Sequence, residues 1–325
     1  MRYYLNTGTD PAFNLAAEQY LLENASEDCF MLWRNHNTIV VGRNQNTLSQ
    51  INPEFVEKHN IHVVRRITGG GAVYHDLGNI NFTFIKVGGQ AKRIDFSAYT
   101  RPILDYLNGR SVPAVLDGRN DLIVDGLKIS GNAQHIHKNR VLHHGTLLFD
   151  VNLEMLATSL LVDPEKYRDK AVQSIRSRVC NIRNYLLDRP NVEQFMDDLG
   201  RHMHNAHHAV MTQFNEDDLK QINRLAGERY RQWHWNFGDS PAYNFSKSTR
   251  TPGGTIDIRM QVKDGVIQGI RIFGDFFGID PVSDIEVLLT GCRHDSESIK
   301  NILEAVDLER HIKDVTIDHL IHSMF

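Results

Sequence analysis

Cysteine is scarce in this chain. Cys29, Cys180 and Cys292 are three in 325 residues, an odd number at long spacings, which excludes a disulfide framework and a CxxC zinc or redox pair. A reducing compartment is the simple reading. The opening MRYYLNTGTDPAFNLAAEQYLLEN has no basic start, apolar stretch or small-residue cleavage site, and no 18-residue apolar run occurs. Neither a secretion signal nor a spanning helix is expected, so the expected location is cytoplasmic. Strong charge is lacking too: a formal net charge of -4 supplies no global field for nucleic acid or anionic lipid. Neither is expected as a partner, and any attraction for anions must be local.

Several catalytic signatures are also missing. GxSxG and HExxH do not occur, and the dipeptide Gly-Lys that a P-loop requires is absent. GxGxxG is absent as well, and the glycines at 69–71 are followed by the strand-like AVYH where a dinucleotide fold would need a helix. What is present is the profile of a globular protein, 41% hydrophobic and 23% charged, long enough for one large domain and a smaller one.

Asp10 caps and Pro11 opens a helix whose Phe13, Ala16, Ala17, Tyr20 and Leu21 recur at helical steps, predicting one core-facing side. CFMLWR and TIVVG, separated by the turn composition NHN, read as a hairpin. A helix at Pro53 to His59, strands at Ile80 to Ile85, Asp121 to Val124, Lys128 to Ala133 and Gly145 to Phe149, and a helix at Phe96 to Leu107 follow. Hairpin-like connections predict a mixed α and β domain, without the regular alternation of a doubly wound parallel sheet. From Leu153 to Trp233 the pattern is mainly helical. FSKSTRTPGG, Phe245 to Gly254, reads as a linker by its Ser, Thr, Pro and Gly content. Beyond it TIDIRMQV and VIQGIRIF flank the turn KDG, a hairpin signal, and Asp280-Pro281 starts a helix that runs to Gly291.

Three segments suit anions. In RRITGGGAVYHDLGN, Arg65 to Asn79, side-chain-free backbone lies beside two permanent cations, an arrangement that can cradle phosphate or carboxylate. Taken alone, it fits a tight turn with solvated arginines equally well. In GRNDLIVDGLKISGNAQ, Lys128 lies on a strand among β-branched neighbours and needs a counter-charge, from a bound anion or from nothing if it is a surface lysine. In DKAVQSIRSRVCNIRNYL, Arg176, Arg178 and Arg183 are interleaved with apolar residues and could clamp a polyanion, or simply be solvated on a loop. His204 and His208, four apart in RHMHNAHHAV, could bind a metal, although a solvated helix face accounts for them without a third ligand.

DPAFNLAAEQYLL, MLWRNHNTIVVGRNQN, RRITGGGAVYHDLGNINFTFI, GRNDLIVDGLKISGNA, HHGTLLFDVNLEMLA, SIRSRVCNIRNYL and WHWNFGDSPAYN, in that order, resemble lipoate-protein ligase A over nearly the whole chain. The resemblance implies an α/β (α+β) fold: a mixed-sheet catalytic domain of the biotin/lipoate ligase type, residues 1–245 by the linker reading, and a small α+β C-terminal domain, 246–325. It implies activation of lipoate with ATP to lipoyl-AMP and transfer to a lysine of an apo lipoyl domain, on a 2-oxoacid dehydrogenase E2 subunit or a glycine cleavage H protein. A monomer suits an enzyme that must dock a partner's lysine.

The same resemblance assigns roles. Lys128 is the implied catalytic residue, touching both carboxylate and α-phosphate. Arg66, Gly71, Ala72, Val73, Tyr74, Asn120, Asp121, Arg176 and Arg178 are implied for ATP and the adenylate, and Arg65, Gly70, Val73 and His144 with Lys128 for lipoate. Asp121 is the implied ligand for Mg²⁺, and 170–183 matches the loop over the adenylate. Trp33, Val40, Val73 and Tyr74 are candidates for the acyl groove by their strand positions. Two departures stand out. Cys180 replaces the family's threonine and could be the nucleophile of an ATP-independent octanoyl or lipoyl transferase, and His135 and His137 replace residues that vary. A non-catalytic lipoate-binding protein is the remaining alternative.

Overall fold

The computed structural model describes residues 1–88, 95–118, 120–160, the backbone of 167–168, and 179–325. Along the chain come β1 (Arg2–Leu5), α1 (Pro11–Asn24), β2 (Cys29–Trp33), β3 (Thr38–Val41), α2 (Pro53–Lys58), β4 (His62–Arg65), β5 (Val73–His75) and β6 (Asn79–Val87). Next are α3 (Ser97–Gly109), β7 (Val115–Asp117), β8 (Asp121–Val124), β9 (Leu127–His137), β10 (Arg140–Leu148), α4 (Leu153–Ser159) and β11 (Tyr167–Arg168). The rest are α5 (Val192–His207), β12 (Val210–Thr212), α6 (Glu216–Leu225), β13 (Tyr243–Thr251), β14 (Gly254–Lys263), β15 (Val266–Gly274), α7 (Ser283–Leu289), α8 (Ser296–Leu303), α9 (Leu308–His311) and α10 (Ile317–His322). Among the described residues no helix is long and apolar enough to cross a membrane.

Two compact units emerge from the contacts. The first takes Met1–Arg43, Glu54–Leu160 and 179–232; the second takes Asn44–Pro53 and Trp233–Phe325. In the first, an eight-stranded sheet runs β12-β1-β2-β6-β10-β9-β8-β7, and a separate three-stranded sheet runs β4-β3-β5. Parallel pairs (β12 with β1, β1 with β2) sit beside antiparallel ones (β2 with β6, β6 with β10), the mixed sheet expected. The expected β2–β3 hairpin does not form. β2 pairs with β1 and β6, and β3 pairs with β4 and β5 in the other sheet. The NHN segment therefore carries the chain between sheets, with Asn37 at φ 38. Every residue of β2 and β3 is buried, so neither strand has a solvent face to select one neighbour.

One apolar cluster holds this unit, with Phe30, Leu32, Phe82, Leu147, Phe149, Phe195 and Leu199 among its buried members. α5 feeds it from an amphipathic face, Phe195, Met196, Leu199 and Met203. α1 differs from expectation. Asp10 caps it by accepting from the Ala12 amide (2.9 Å) and Pro11 opens it, but the helix is buried on most of its circumference, with Asn14, Glu18 and Gln19 inside. The helix is covered by α6 and the turn after it as well as by the sheet: Tyr20 Oη donates to Asp218 (2.6 Å), and Tyr230 Oη donates to Gln19 (2.8 Å). Polar residues are tolerated there because each finds a partner.

The second unit is a sheet in the order β11-β13-β14-β15. The segment expected as a linker is strand β13, paired with β14 from Tyr243↔Val262 to Thr251↔Gly254. Tyr243 and Phe245 are buried and Asn244, Ser246 and Ser248 exposed, so the serines are the outer positions of an alternating strand, whereas Thr249 and Thr251 lie on the inner face. The KDG hairpin does form, with Asp264 at φ 53 and Gly265 at φ 70, the two left-handed residues that a tight two-residue turn requires. Ile256, Ile258, Met260, Ile267, Ile270 and Ile272 of the strands and Ile285, Leu289, Ile299, Leu303 and Leu320 of the helices are all buried, and α7 packs on β15. The helix expected from Asp280-Pro281 is α7, starting at Ser283.

Candidate functional site

Strand β4 delivers Arg65 and Arg66 to the start of the glycine-rich loop. Both are buried, and neither is solvated as a simple turn would have it. Arg65 Nη1 donates to the carbonyls of Gly42 (3.0 Å) and Arg43 (3.2 Å). Arg66 Nη1 donates to Val40 O (3.1 Å), Nη2 to Gly69 O (2.7 Å) and Gly71 O (2.9 Å), and Nε to Thr68 Oγ1 (2.9 Å). The guanidinium fork thus braces the loop from inside. Gly70 has φ 97, and a Cβ there would lie 2.9 Å from Arg66 Nη2. Burial pushes the Arg66 pKa down to about 10, against the pull of the Glu18 charge.

Next to this brace lies a buried chain of polar side chains from five distant positions. Thr68 Oγ1 is 2.8 Å from His144 Nε2, and His144 Nδ1 is 2.9 Å from Glu18 Oε1. Thr83 Oγ1 donates to the same Glu18 oxygen (2.5 Å) and accepts from Trp33 Nε1 (2.9 Å). Register explains the meeting: His144 pairs with Thr83 and Ala133, and Trp33 with Asn81, so these residues share the sheet face that α1 covers. His75 on β5 faces the same compartment, its ring 6.5 Å from that of Trp33. Burial, with the charges of Arg66 and His144, pushes its pKa down to about 3. His75 is therefore neutral at ordinary pH. Val40 and Val73 pair with each other and share the His75 side of the small sheet, whereas Tyr74 points to the other side, its hydroxyl donating to Asn37 (3.1 Å). The Tyr74 ring therefore does not join the other acyl-groove candidates.

Lys128 is a different kind of cation. It is about a quarter exposed (24%), and its counter-charge is Asp121, with Nζ 2.9 Å from Oδ1. Gly131 leaves room for it, since a Cβ there would lie 3.0 Å from Nζ. Asn120 and Asn132 zip the strands together, each side-chain amide donating to the other's carbonyl (2.8 and 2.9 Å). Ala72 is buried and Gly71 partly so. The structure thus brings Arg65, Arg66, Gly70 and Gly71 together in one brace, His144 into the compartment beside it, and Asn120, Asp121 and Lys128 together at β8 and β9. Arg176 and Arg178 lie outside the described residues, as does most of the loop 170–183. Arg183 is described and pairs with Asp150 (2.6 Å).

Cys180 follows a bridge between Val179 and Lys128, its amide donating to Lys128 O (3.0 Å). Its side chain belongs to the apolar cluster, and burial pushes its thiol pKa up, with Asp125 adding to the effect. His204 Nδ1 sits 2.8 Å from Ala209 O and His208 ends α5 in the left-handed region, so they cap a helix rather than form a pair. Among the described residues no group of three potential ligands could hold a metal ion. His135 and His137 stack on β9 (6.5 Å), the former with its pKa lowered by burial. Sequence reasoning missed Glu18, Thr68, His75 and Thr83. Only the unusual placement of Glu18 within an apolar helix signalled any of them.

A glycine-rich loop braced by buried arginines, a polar compartment beneath one helix, and a half-open Lys–Asp pair on a mixed sheet suit an α/β protein that binds a small anionic ligand. Residues 10–204 match the model for the lipoyl protein ligase A/B catalytic domain, and 240–324 match that for the bacterial lipoate protein ligase C-terminus. The chain is 40% identical over 321 residues to lipoate-protein ligase LplJ of Bacillus subtilis, covering 97% of each. It superposes on a bi-partite lipoate protein ligase from Thermoplasma acidophilum, described with its E2 lipoyl domain, at TM-score 0.62 and 24% identity, over 73% of this chain and 96% of that one. A lipoate-protein ligase A bound with ATP gives TM-score 0.61 at 22% identity over 73% and 98%. The chain belongs to the lipoate-protein ligase family.

Proposed function

We propose that this protein is an ATP-dependent lipoate-protein ligase that makes lipoyl-AMP and then lipoylates a lysine of an acceptor domain. The observation that carries the reading is full-length similarity to a lipoate-protein ligase, 97% of both chains, with the Lys128–Asp121 pair as the reacting end. In the first step a carboxylate oxygen attacks the α-phosphorus and the bond to pyrophosphate breaks. Two anions must meet, and the Lys128 ammonium between them offsets the repulsion where charge builds. In the second step the acceptor's amine attacks the acyl carbon, AMP leaves, and the amine's proton is lost.

Arg66, with Gly71, Ala72, Val73 and Tyr74, holds the loop that cradles the nucleotide, with Asn120 beside it and Arg176 and Arg178 on the polyphosphate. Arg65, Gly70, Val73 and His144 line the lipoate side. Asp121 would hold Mg²⁺, whose part is to neutralise the departing pyrophosphate. One carboxylate suits an ion bound mainly through phosphates. The ATP-bound relative supports the nucleotide, and the relative described with an E2 lipoyl domain supports such a domain as acceptor, with a glycine cleavage H protein as another. Residues 1–245 as catalytic part, 246–325 as accessory part, a monomeric state and a cytoplasmic location belong to the same proposal. A transferase working through Cys180 needs a thiol of lowered pKa, and here the pKa is raised. The test is release of pyrophosphate from ATP by the purified protein with lipoate; absence of release would sink the reading.

A further inference from the structure

His143 is fully buried on the face of β10 turned away from Glu18 and His144, stacked on Tyr99 of α3 (5.2 Å between ring centroids) and on Phe82 (5.9 Å). Its tautomer follows from the amides around it. Asn132 Nδ2 must be a donor, because it faces the carbonyl of Asn120 (2.9 Å). Asn132 Oδ1 is then an acceptor, and His143 Nε2 donates to it (3.2 Å). Gln134 Oε1 accepts from the Asp95 amide (3.0 Å), which makes Gln134 Nε2 the donor to His143 Nδ1 (2.9 Å). Both ring nitrogens agree on one neutral form, and burial pushes the pKa down to about 3. A histidine that takes no proton near neutrality is neither an acid nor a base there. Its output is the fixed direction of the Asn132 amide.

That amide holds the start of β8. Asn120 O accepts from the Asn132 backbone N–H (3.0 Å) as well as from Nδ2, and Asn120 Nδ2 donates back to Asn132 O (2.8 Å). Gly145, the register partner of Asn132, makes the room: a Cβ there would lie 2.2 Å from Asn132 Oδ1. Asn120 leads directly into Asp121, the counter-charge of Lys128. Just beyond, the β8–β9 register shifts from Leu122↔Ser130 to Ile123↔Lys128, a bulge that leaves the Lys128 side chain beside Gly131. A bulge interrupts the ladder, so the aim of the lysine depends on what clamps the strand next to it. We propose that His143 and Asn132 are positioning residues for the Lys128–Asp121 pair: the ring fixes the Asn132 amide, the amide fixes Asn120, and Asn120 holds Asp121 where it directs the ammonium. This rests on the ligase reading, in which Lys128 stands between the reacting anions. Both residues act through Asn120 rather than on a substrate, so their loss slows the chemical step and spares substrate affinity.

The test measures kcat and KM for lipoate in pyrophosphate release by the full-length protein. Asn132→Leu keeps the size of the side chain and removes its hydrogen bonds, and His143→Leu removes the donor that orients it. Each should lower kcat about tenfold, less than the roughly 10²-fold that a 1 Å misplacement can cost, with KM for lipoate changed by less than about twofold. His143→Gln, whose amide can donate to Asn132 Oδ1, should recover part of the loss. In a Lys128→Ala background Asn132→Leu should lower the residual rate no further, because the lysine it positions is gone. An unchanged kcat in both leucine variants, a loss carried by KM, no recovery in His143→Gln, or a full further fall in the Lys128→Ala background overturns the proposal and leaves His143 and Asn132 as packing residues. Should neither His143 variant fold, Asn132→Leu, which leaves the aromatic stack in place, decides alone. No pyrophosphate from the unaltered protein with lipoate overturns the ligase reading itself and the positioning role with it.

Discussion

Arg66 and Lys128 carry the same charge in opposite situations. Arg66 is buried and donates to three backbone carbonyls and a threonine of its own neighbourhood. Lys128 is a quarter exposed and, among the described residues, pairs with one carboxylate that is itself about a third exposed. A guanidinium saturated by carbonyls is scaffold first, since moving it would orphan each acceptor. An ammonium on one half-open partner can change partners at little cost. The glycine-rich loop is therefore held in shape by its own side chains, and the proposed reacting centre keeps the charge that can change partners.

The largest effect that would sharpen this contrast is on catalysis. Lys128→Ala should lower pyrophosphate release about 10²–10³-fold while the unfolding midpoint hardly moves; an unchanged rate would contradict the role. Arg66→Ala should do the reverse in stability, costing about 3 kcal/mol as three carbonyls lose their donor, measured by urea unfolding. Arg66→Lys should not rescue it, because an ammonium cannot span the fork.

Acid reaches the buried polar residues next. Burial holds His75 and His143 at pKa values of about 3, whereas an unfolded imidazole takes its proton near 6.5. Between those values the unfolded state binds more protons, so stability falls as pH drops below about 6.5, by up to about 2 kcal/mol per imidazole at pH 5. Urea midpoints that stay level from pH 7 to pH 5 would show that these rings are not held neutral. The smallest effect is expected from Cys180→Ala: about 1 kcal/mol of core packing lost, with lipoyl transfer unchanged.

Much of this was legible in the sequence where chemistry is local. Asp10-Pro11 wrote the start of α1, KDG wrote the β14–β15 turn, and the ordered motifs marked both ends of the proposed site. Pairing was less legible. Cys29–Trp33 and Thr38–Val41 are buried throughout and show no alternation of apolar and polar residues, so no exposed face told them to join different sheets. The serines of β13 looked like a linker because a strand's outer positions and a loop share a composition. Glu18 and His144 are 126 residues apart, and Thr68 and His75 meet the same compartment only through register, which one sequence does not display.

Intact-mass spectrometry of an apo lipoyl domain tests the central claim most directly. The domain is incubated with this protein and lipoate, with and without Mg-ATP, alongside Cys180→Ala. A lipoyl mass gained only with ATP, and gained equally with the variant, is the predicted result. Transfer from an acylated carrier without ATP, lost in Cys180→Ala, would contradict it.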